Sequence, residues 1–384
     1  MMILILPFMQ MKSGHHQVAD ALEAHIYQQN PHVSVEKIDI FHYTLPRLER
    51  IVSKCYLTWI QQYPNSYSRF YKKNFNANDY QVRLFQPFEY MMQQALEKII
   101  LEKQPEAIIC THSFPSHAAS RLKQAGKTQV PIINAYTDFF TSGVWAKDGV
   151  DLHLAPSTHV AKHLMEQFHV AEEKIVISGI PIHPEIRPVT KRKVKHPLHI
   201  LIAGGNSGLG NIKSLVNQCC GLRNTQFSVL CGNNRKLLQE LQNLSLPNVT
   251  PLSYIESREQ MNALYDQVDA IISKPGGVTV AEALSKKIPT FIESELPGQE
   301  QINMDYLVPA QLVFQTTDCD HSLLEVYSIL NNETEMKKFE RAIQMYEQDF
   351  DLHLAELIHK ILGNLPHAKQ PYHCEPFNRL ALLS

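Results

Sequence analysis

Short apolar runs alternate along the chain with stretches of helical spacing. Residues 3–7 form a buried-strand run, 17–29 an amphipathic helix and 33–40 an alternating strand. Further strands are expected at 107–111, 132–135 and 152–155, with helices near 116–124 and 159–167. Strand–helix alternation of this kind predicts a parallel sheet covered on both faces. Around 187–199 the pattern gives way to Pro, Lys and Arg without an apolar period, as an interdomain linker would. It then restarts, with strands at 199–203, 226–231, 249–251, 270–273 and 290–292. Helices follow at 258–265, 279–285 and 301–307, and 334–362 reads as one closing helix. The expected class is therefore α/β with two doubly wound, Rossmann-like domains. A first domain spans 1–186, a linker 187–198 and a second domain 199–347; a helix and tail at 348–384 pack back on the first.

A length of 384 residues suits two cores. The formal net charge of −2 gives no electrostatic argument for a nucleic-acid partner. The 7 cysteines include no C-x-x-C pair, and Cys219-Cys220 are adjacent, a poor geometry for a bridge, which points to a reducing cytosol. The apolar run 2–8 is too short for a signal core or a span, and no later window reaches the roughly 18 apolar residues a transmembrane helix needs. The expected location is cytoplasmic; a membrane would be met from its surface.

The most informative string is Ser273-Lys274-Pro275-Gly276-Gly277-Val278-Thr279-Val280-Ala281-Glu282-Ala283-Leu284, followed by Leu296-Pro297-Gly298-Gln299-Glu300. An apolar strand ends at a Pro-Gly-Gly turn and a helix opens at once. Two glycines without Cβ atoms let backbone N–H groups approach a ligand closely. The helix start aims unpaired donors and a partial positive charge at the same point, a phosphate cradle. Glu282, one turn in, is placed to accept ribose hydroxyls, and Gln299 and Glu300 sit on a second loop within reach. Taken alone, the glycine pair fits an ordinary strand–turn–helix corner as well; the full string is more specific.

That string resembles the donor-nucleotide motif of glycosyltransferase family 28, in particular its processive diacylglycerol glucosyltransferases and galactolipid synthases. Supporting matches are Ser13-Gly14-His15, Thr137-Asp138-Phe139, Trp145, Ser178-Gly179-Ile180-Pro181-Ile182 and Ala203-Gly204-Gly205, so the resemblance covers roughly residues 1–315. It implies a GT-B fold, two Rossmann-like domains facing a central cleft, and inverting transfer of a hexose from a UDP-sugar. No cofactor is implied beyond that donor substrate. The family's glycine-rich loop ends in a histidine that falls on His15, making it the candidate base; Lys12-Ser13 stand where relatives often carry more glycine. Gly14, Gly205, Gly276, Gly277, Thr279, Glu282, Gln299 and Glu300 would hold the donor, with Ile255 against the uracil through main-chain contacts.

The chemistry asks for a base on the acceptor hydroxyl and for stabilisation of the departing diphosphate. His15 follows the first strand, and an imidazole of pKa about 6.5 suits proton removal near neutrality. Asp138, at another strand end, either orients the base, binds acceptor or caps the next segment. Asp318-Cys319-Asp320 and Asp349-Phe350-Asp351 match the metal-binding Asp-x-Asp pattern, yet neither follows a strand that would aim it at a donor. Both read as surface, and His159 with His163 lacks the intervening carboxylate of a hydrolytic zinc site. No metal is expected.

Residues 43–83 carry nine aromatics and seven basic residues against two acids. Such interleaving suits an anionic membrane surface, with rings at the headgroup level; an irregular helical excursion with core aromatics fits it too. Set beside the resemblance, it leads to a membrane-lipid acceptor, most readily diacylglycerol, and peripheral attachment to the inner face of the cell membrane. The alternatives are transfer to a small soluble acceptor, a UDP-sugar epimerase, and a non-catalytic nucleotide-sugar binder.

Overall fold

The structure, a computed structural model, describes residues 1–9, 13–63, 66, 69, 86–190, 197–204, 212–222, 224–293, 298–317 and 321–365; for residues 50, 54, 56, 57, 60–62 and 86 it describes the backbone alone. Most of the aromatic-basic stretch after Tyr63, Leu296-Pro297, Asp318-Cys319-Asp320 and the tail from 366 lie outside the described residues. The chain divides into two compact units, residues 1–183 with 349–384, and residues 184–348.

The sheet of the first unit has six parallel strands, β1 (Met2–Leu6), β2 (Ser34–Lys37), β3 (Ala107–Cys110), β4 (Ile132–Ala135), β5 (Leu152–Ala155) and β6 (Ile175–Ile177), in the order β2-β1-β3-β4-β5-β6. β3, β4 and β5 are buried at every position, and apart from Asn134 and His153 their side chains are apolar or Cys. The helices are α1 (Gly14–Gln29), α2 (Ile40–Thr44), α3 (Pro46–Gln62), α4 (Gln86–Lys103), α5 (Ser113–Gln124) and α6 (Thr158–Phe168). α1 begins three residues before its apolar period, because Gly14-His15-His16 carry no apolar side chain to announce the first turn.

The second unit repeats the plan with β7 (Leu198–Ala203), β8 (Thr225–Leu230), β9 (Val249–Leu252), β10 (Ala270–Ser273), β11 (Thr290–Ile292) and β12 (Phe314–Gln315), all parallel in the order β12-β11-β10-β7-β8-β9. Its helices are α7 (Ile212–Cys219), α8 (Arg235–Leu244), α9 (Arg258–Gln267), α10 (Gly277–Ser285), α11 (Gln299–Leu307), α12 (Ser322–Leu330) and α13 (Glu333–Gln348). The expected linker begins inside this unit. Ile186 is buried in its core, Arg187 N–H donates to Asn262 at 3.0 Å and Val189 N–H to the Ser285 carbonyl at 3.1 Å.

The expected single closing helix is two, α13 and then α14 (Leu354–Asn364), which packs on α1 in the first unit. The break is the Asp349-Phe350-Asp351 string. Asp349 accepts from the Thr158 hydroxyl at 2.7 Å and Asp351 from Ile177 N–H at 2.8 Å. Between them Phe350 fills the space over Gly179, whose φ of +73° and a Cβ that would lie 2.8 Å from the ring both require glycine. This pair of carboxylates is a structural tie.

In open parallel sheets, ligands bind beyond the carboxyl ends of the strands where the winding direction reverses. The chain leaves β1 toward β2 on one side and returns to β3 on the other, so the first unit reverses between β1 and β3. The second reverses between β7 and β10. The first reversal is followed by His15 and His112, the second by the turn at Gly276-Gly277.

Candidate active site

His15 occupies the first turn of α1, directly beyond β1. Ser13 precedes the helix in extended conformation, and its hydroxyl meets His16 Nδ1 at 3.0 Å rather than capping the backbone. Burial, then His112 and His16, hold the pKa of the half-buried His15 ring well below the ordinary value, against the Phe8 backbone, which favours the protonated form. A neutral imidazole is the form a general base needs.

The group in contact with His15 is His112, whose ring meets it edge to face with centroids 4.7 Å apart. His112 follows β3 and caps α5: its Nδ1 accepts from Phe114 N–H at 3.3 Å, which places the proton of the neutral ring on Nε2. The ring stacks on Phe8 at 4.7 Å and on Phe114 at 5.6 Å. Burial brings its pKa down to about 3, so it is neutral at physiological pH. Phe41 and Phe88 extend the same aromatic cluster: Phe8 and Phe41 are buried in the core, and Phe88 and Phe114 are half-buried against it.

Asp138 follows β4, one strand beyond β3, so the strand that carries His112 lies between those leading to His15 and Asp138. Its carboxylate accepts from Thr137 at 3.4 Å. The strand end is pinned from below, where the fully buried Tyr136 hydroxyl meets His153 Nδ1 at 2.9 Å. Nearby Lys147 has its pKa lowered to about 7 by burial; it donates to the Ser142 carbonyl and lies 3.8 Å over the Phe168 ring.

In the second unit Gly276 is the N-cap of α10 and Gly277 its first residue, at the end of β10. Gly276 has an ordinary φ of −74°, and a Cβ built there would meet nothing within 4 Å among the described residues. Neither conformation nor packing against the described residues requires glycine at this point. Thr279 and the buried Glu282 follow on α10. Gln299 and Glu300 open α11 after Gly298, whose φ of +115° turns the chain. Asn303, 1% exposed, donates to the Pro275 carbonyl at 2.9 Å, and Lys274 Nζ lies 4.0 Å from Glu300. These two contacts hold the glycine turn and the Gln299-Glu300 segment together. Burial lowers the Lys274 pKa while Glu300 opposes it.

Ile255 lies in the loop after β9, packed against the core cluster to which Tyr265 and Ala283 belong. Gly14 is the first residue of α1, whereas Gly205 lies outside the described residues. His112, Lys274, Asn303, Arg258 and Tyr265 were not among the sequence candidates. For His112 a signal existed: it follows an apolar strand as His15 does.

Residues 15–182 match the monogalactosyldiacylglycerol (MGDG) synthase family and residues 199–303 the glycosyltransferase family 28 C-terminal domain. Among curated proteins, the chain is 35% identical over 348 residues to an uncharacterized glycosyltransferase, YkoN, of Bacillus subtilis (strain 168), covering 90% of this chain and 92% of that one. It is 28% identical over 341 residues to the processive diacylglycerol beta-glucosyltransferase of Bacillus cereus (strain B4264), covering 86% of each. Among solved structures, Acinetobacter baumannii MurG aligns with a TM-score of 0.58 at 15% identity over 94% of this chain and all of that one. The glycotransferase of kitacinnamycin gives 0.62 at 14% identity over 95% of this chain and 99% of that one. Both likenesses concern the fold.

Proposed function

The chain belongs to glycosyltransferase family 28 and has the GT-B fold, and from that premise we propose that it transfers a hexose from a UDP-sugar, with inversion, to the hydroxyl of diacylglycerol. The observation that carries the donor half is Gly276. A glycine that the fold does not need, at a helix start beside the reversal point of a parallel sheet, leaves room for something outside the protein. A diphosphate answers that description, held by backbone N–H groups and the helix dipole, with Lys274 as the adjacent cation. Glu282 takes the ribose hydroxyls, the loop of Ile255 the uracil, and Gln299 with Glu300 the hexose. Gly205, outside the described residues, is assigned to the same donor by the sequence resemblance alone.

His15 removes the acceptor proton as the hydroxyl oxygen attacks the anomeric carbon. The bond to the diphosphate breaks on the opposite face, and the leaving charge is met at the α10 N-terminus. Asp138 binds acceptor. Phe88 and Phe114, half-buried at the edge of the cluster that holds His112, would suit an acceptor with acyl chains rather than a polar soluble one. Names of relatives support the same class, since 28% identity to a diacylglycerol glucosyltransferase spans most of both chains. Peripheral membrane attachment would follow. No helix among the described residues is long and apolar enough to cross a membrane, and α3 exposes Leu48, Ile51 and Val52.

The test is a donor panel of UDP-glucose, UDP-galactose and UDP-N-acetylglucosamine with diacylglycerol vesicles, products read by mass spectrometry. A hexosyl-lipid from one donor is expected. Products only on soluble acceptors, or interconversion of the donor sugar without acceptor, would replace this reading.

A further inference from the structure

Glu282 does not stand free on α10. Its Oε2 accepts from the Tyr265 hydroxyl at 2.9 Å, and its Oε1 lies 3.6 Å from Arg258 NH1. Glu282 is 4% exposed and Tyr265 2%. Both partners come from α9, where a separation of seven residues puts them two turns apart on one face. The same helix begins just after the loop that holds Ile255. α9 therefore links the loop proposed for the base to the carboxylate proposed for the ribose.

We propose that Tyr265 and Arg258 are positioning residues for recognition of the nucleotide ribose: together they fix the plane of the Glu282 carboxylate and leave it acceptor capacity for a vicinal diol. A carboxylate offers about four lone-pair directions; the Tyr265 hydroxyl takes one on Oε2, while Arg258 faces Oε1 as an ion pair at 3.6 Å. Both partners also favour the charged form of the acceptor. Burial raises the pKa of Glu282, while Arg258 and the Tyr265 hydroxyl both oppose that rise. Burial, then the carboxylate, drive the Tyr265 pKa well above its ordinary value, so the phenol remains a donor. This inference rests on the donor-site reading above.

The experiment compares UDP with 2′-deoxy-UDP by calorimetry on the full chain, for wild type, Tyr265→Phe and Arg258→Gln, with thermal melting of each protein. Wild type should prefer UDP by about tenfold or more, the range for a hydrogen bond to a charged group. Each variant should lose most of that ratio, because UDP gives up both hydroxyl contacts to the carboxylate and 2′-deoxy-UDP only the one it has. A role in packing alone would weaken both ligands equally and preserve the ratio. Folded variants that keep the wild-type ratio overturn the proposal and leave the donor reading intact. A wild type that binds UDP and 2′-deoxy-UDP alike, or neither, overturns the donor reading and the proposal together. Arg258 is partly exposed, so its variant keeps the test open if Tyr265→Phe fails to fold.

Discussion

Replacing His112 by Asn separates its two roles, because Asn retains the N-cap on α5 while removing the ring. At pH 7.5 the imidazole is neutral in both folded and unfolded chains. The variant then loses only packing, of which the stacks on Phe8 and Phe114 contribute about 0.5–1.5 kcal/mol each. Lower pH changes the comparison. The folded pKa, about 3, lies below the unfolded value, so the unfolded state binds the extra proton and wild-type stability falls as pH drops below about 6.5. At pH 5 the solution lies about 1.5 below the unfolded pKa, which at about 1.36 kcal/mol per unit is about 2 kcal/mol lost by the wild type alone. The stability gap between the two proteins should therefore narrow by about 2 kcal/mol between pH 7.5 and pH 5. Relief of His15, whose pKa His112 helps to lower, acts in the same direction. Urea unfolding at the two pH values measures the gap. A gap that stays constant within about 0.5 kcal/mol would refute the claim that His112 is held neutral inside the fold. In activity, the acid limb of kcat/KM should move to higher pH in the variant.

His15→Ala should reduce kcat by about 10²–10⁴ with UDP affinity unchanged by calorimetry; retained turnover would move the base role to Asp138. Gly179→Ala should destabilise the fold by about 1–3 kcal/mol, from both its positive φ and its collision with Phe350, and a matching loss in Phe350→Gly,Gly179→Ala relative to Phe350→Gly would show that backbone strain dominates over the collision. Ile51→Ser with Val52→Ser should weaken flotation with anionic vesicles while sparing UDP binding; unchanged flotation would remove α3 from the membrane-facing surface.

The sheets were legible because parallel strands buried on both faces carry an unmistakable apolar run: the expected strands at 132–135, 152–155 and 270–273 coincide with β4, β5 and β10. The short β6 and β12 lack that length, and the expected closing helix concealed a break whose cause, Phe350 seated over Gly179, lies far away in sequence. α4 escaped notice although Met92, Leu96 and Ile99 recur at helical spacing. At the site, the glycine turn and Glu282 stood out through their adjacency. Tyr265, Arg258 and Asn303 did not, because their partners Glu282 and Pro275 belong to other elements, and only the fold brings them together. His15 is legible in the sequence, but the ring packed against it arrives from β3, about a hundred residues on.

The central claim, hexose transfer from a UDP-sugar to diacylglycerol, is tested most directly by the product itself. Wild-type protein, His15→Ala and Glu282→Ala are incubated with the UDP-hexose and diacylglycerol vesicles, and the anomeric configuration of any glycolipid is read by nuclear magnetic resonance. The account predicts a β-linked hexosyl-diacylglycerol from the α-linked donor, formed by the wild type and reduced in both variants. An α-linked product, or tight UDP binding with no glycosylated lipid under any donor, would contradict it.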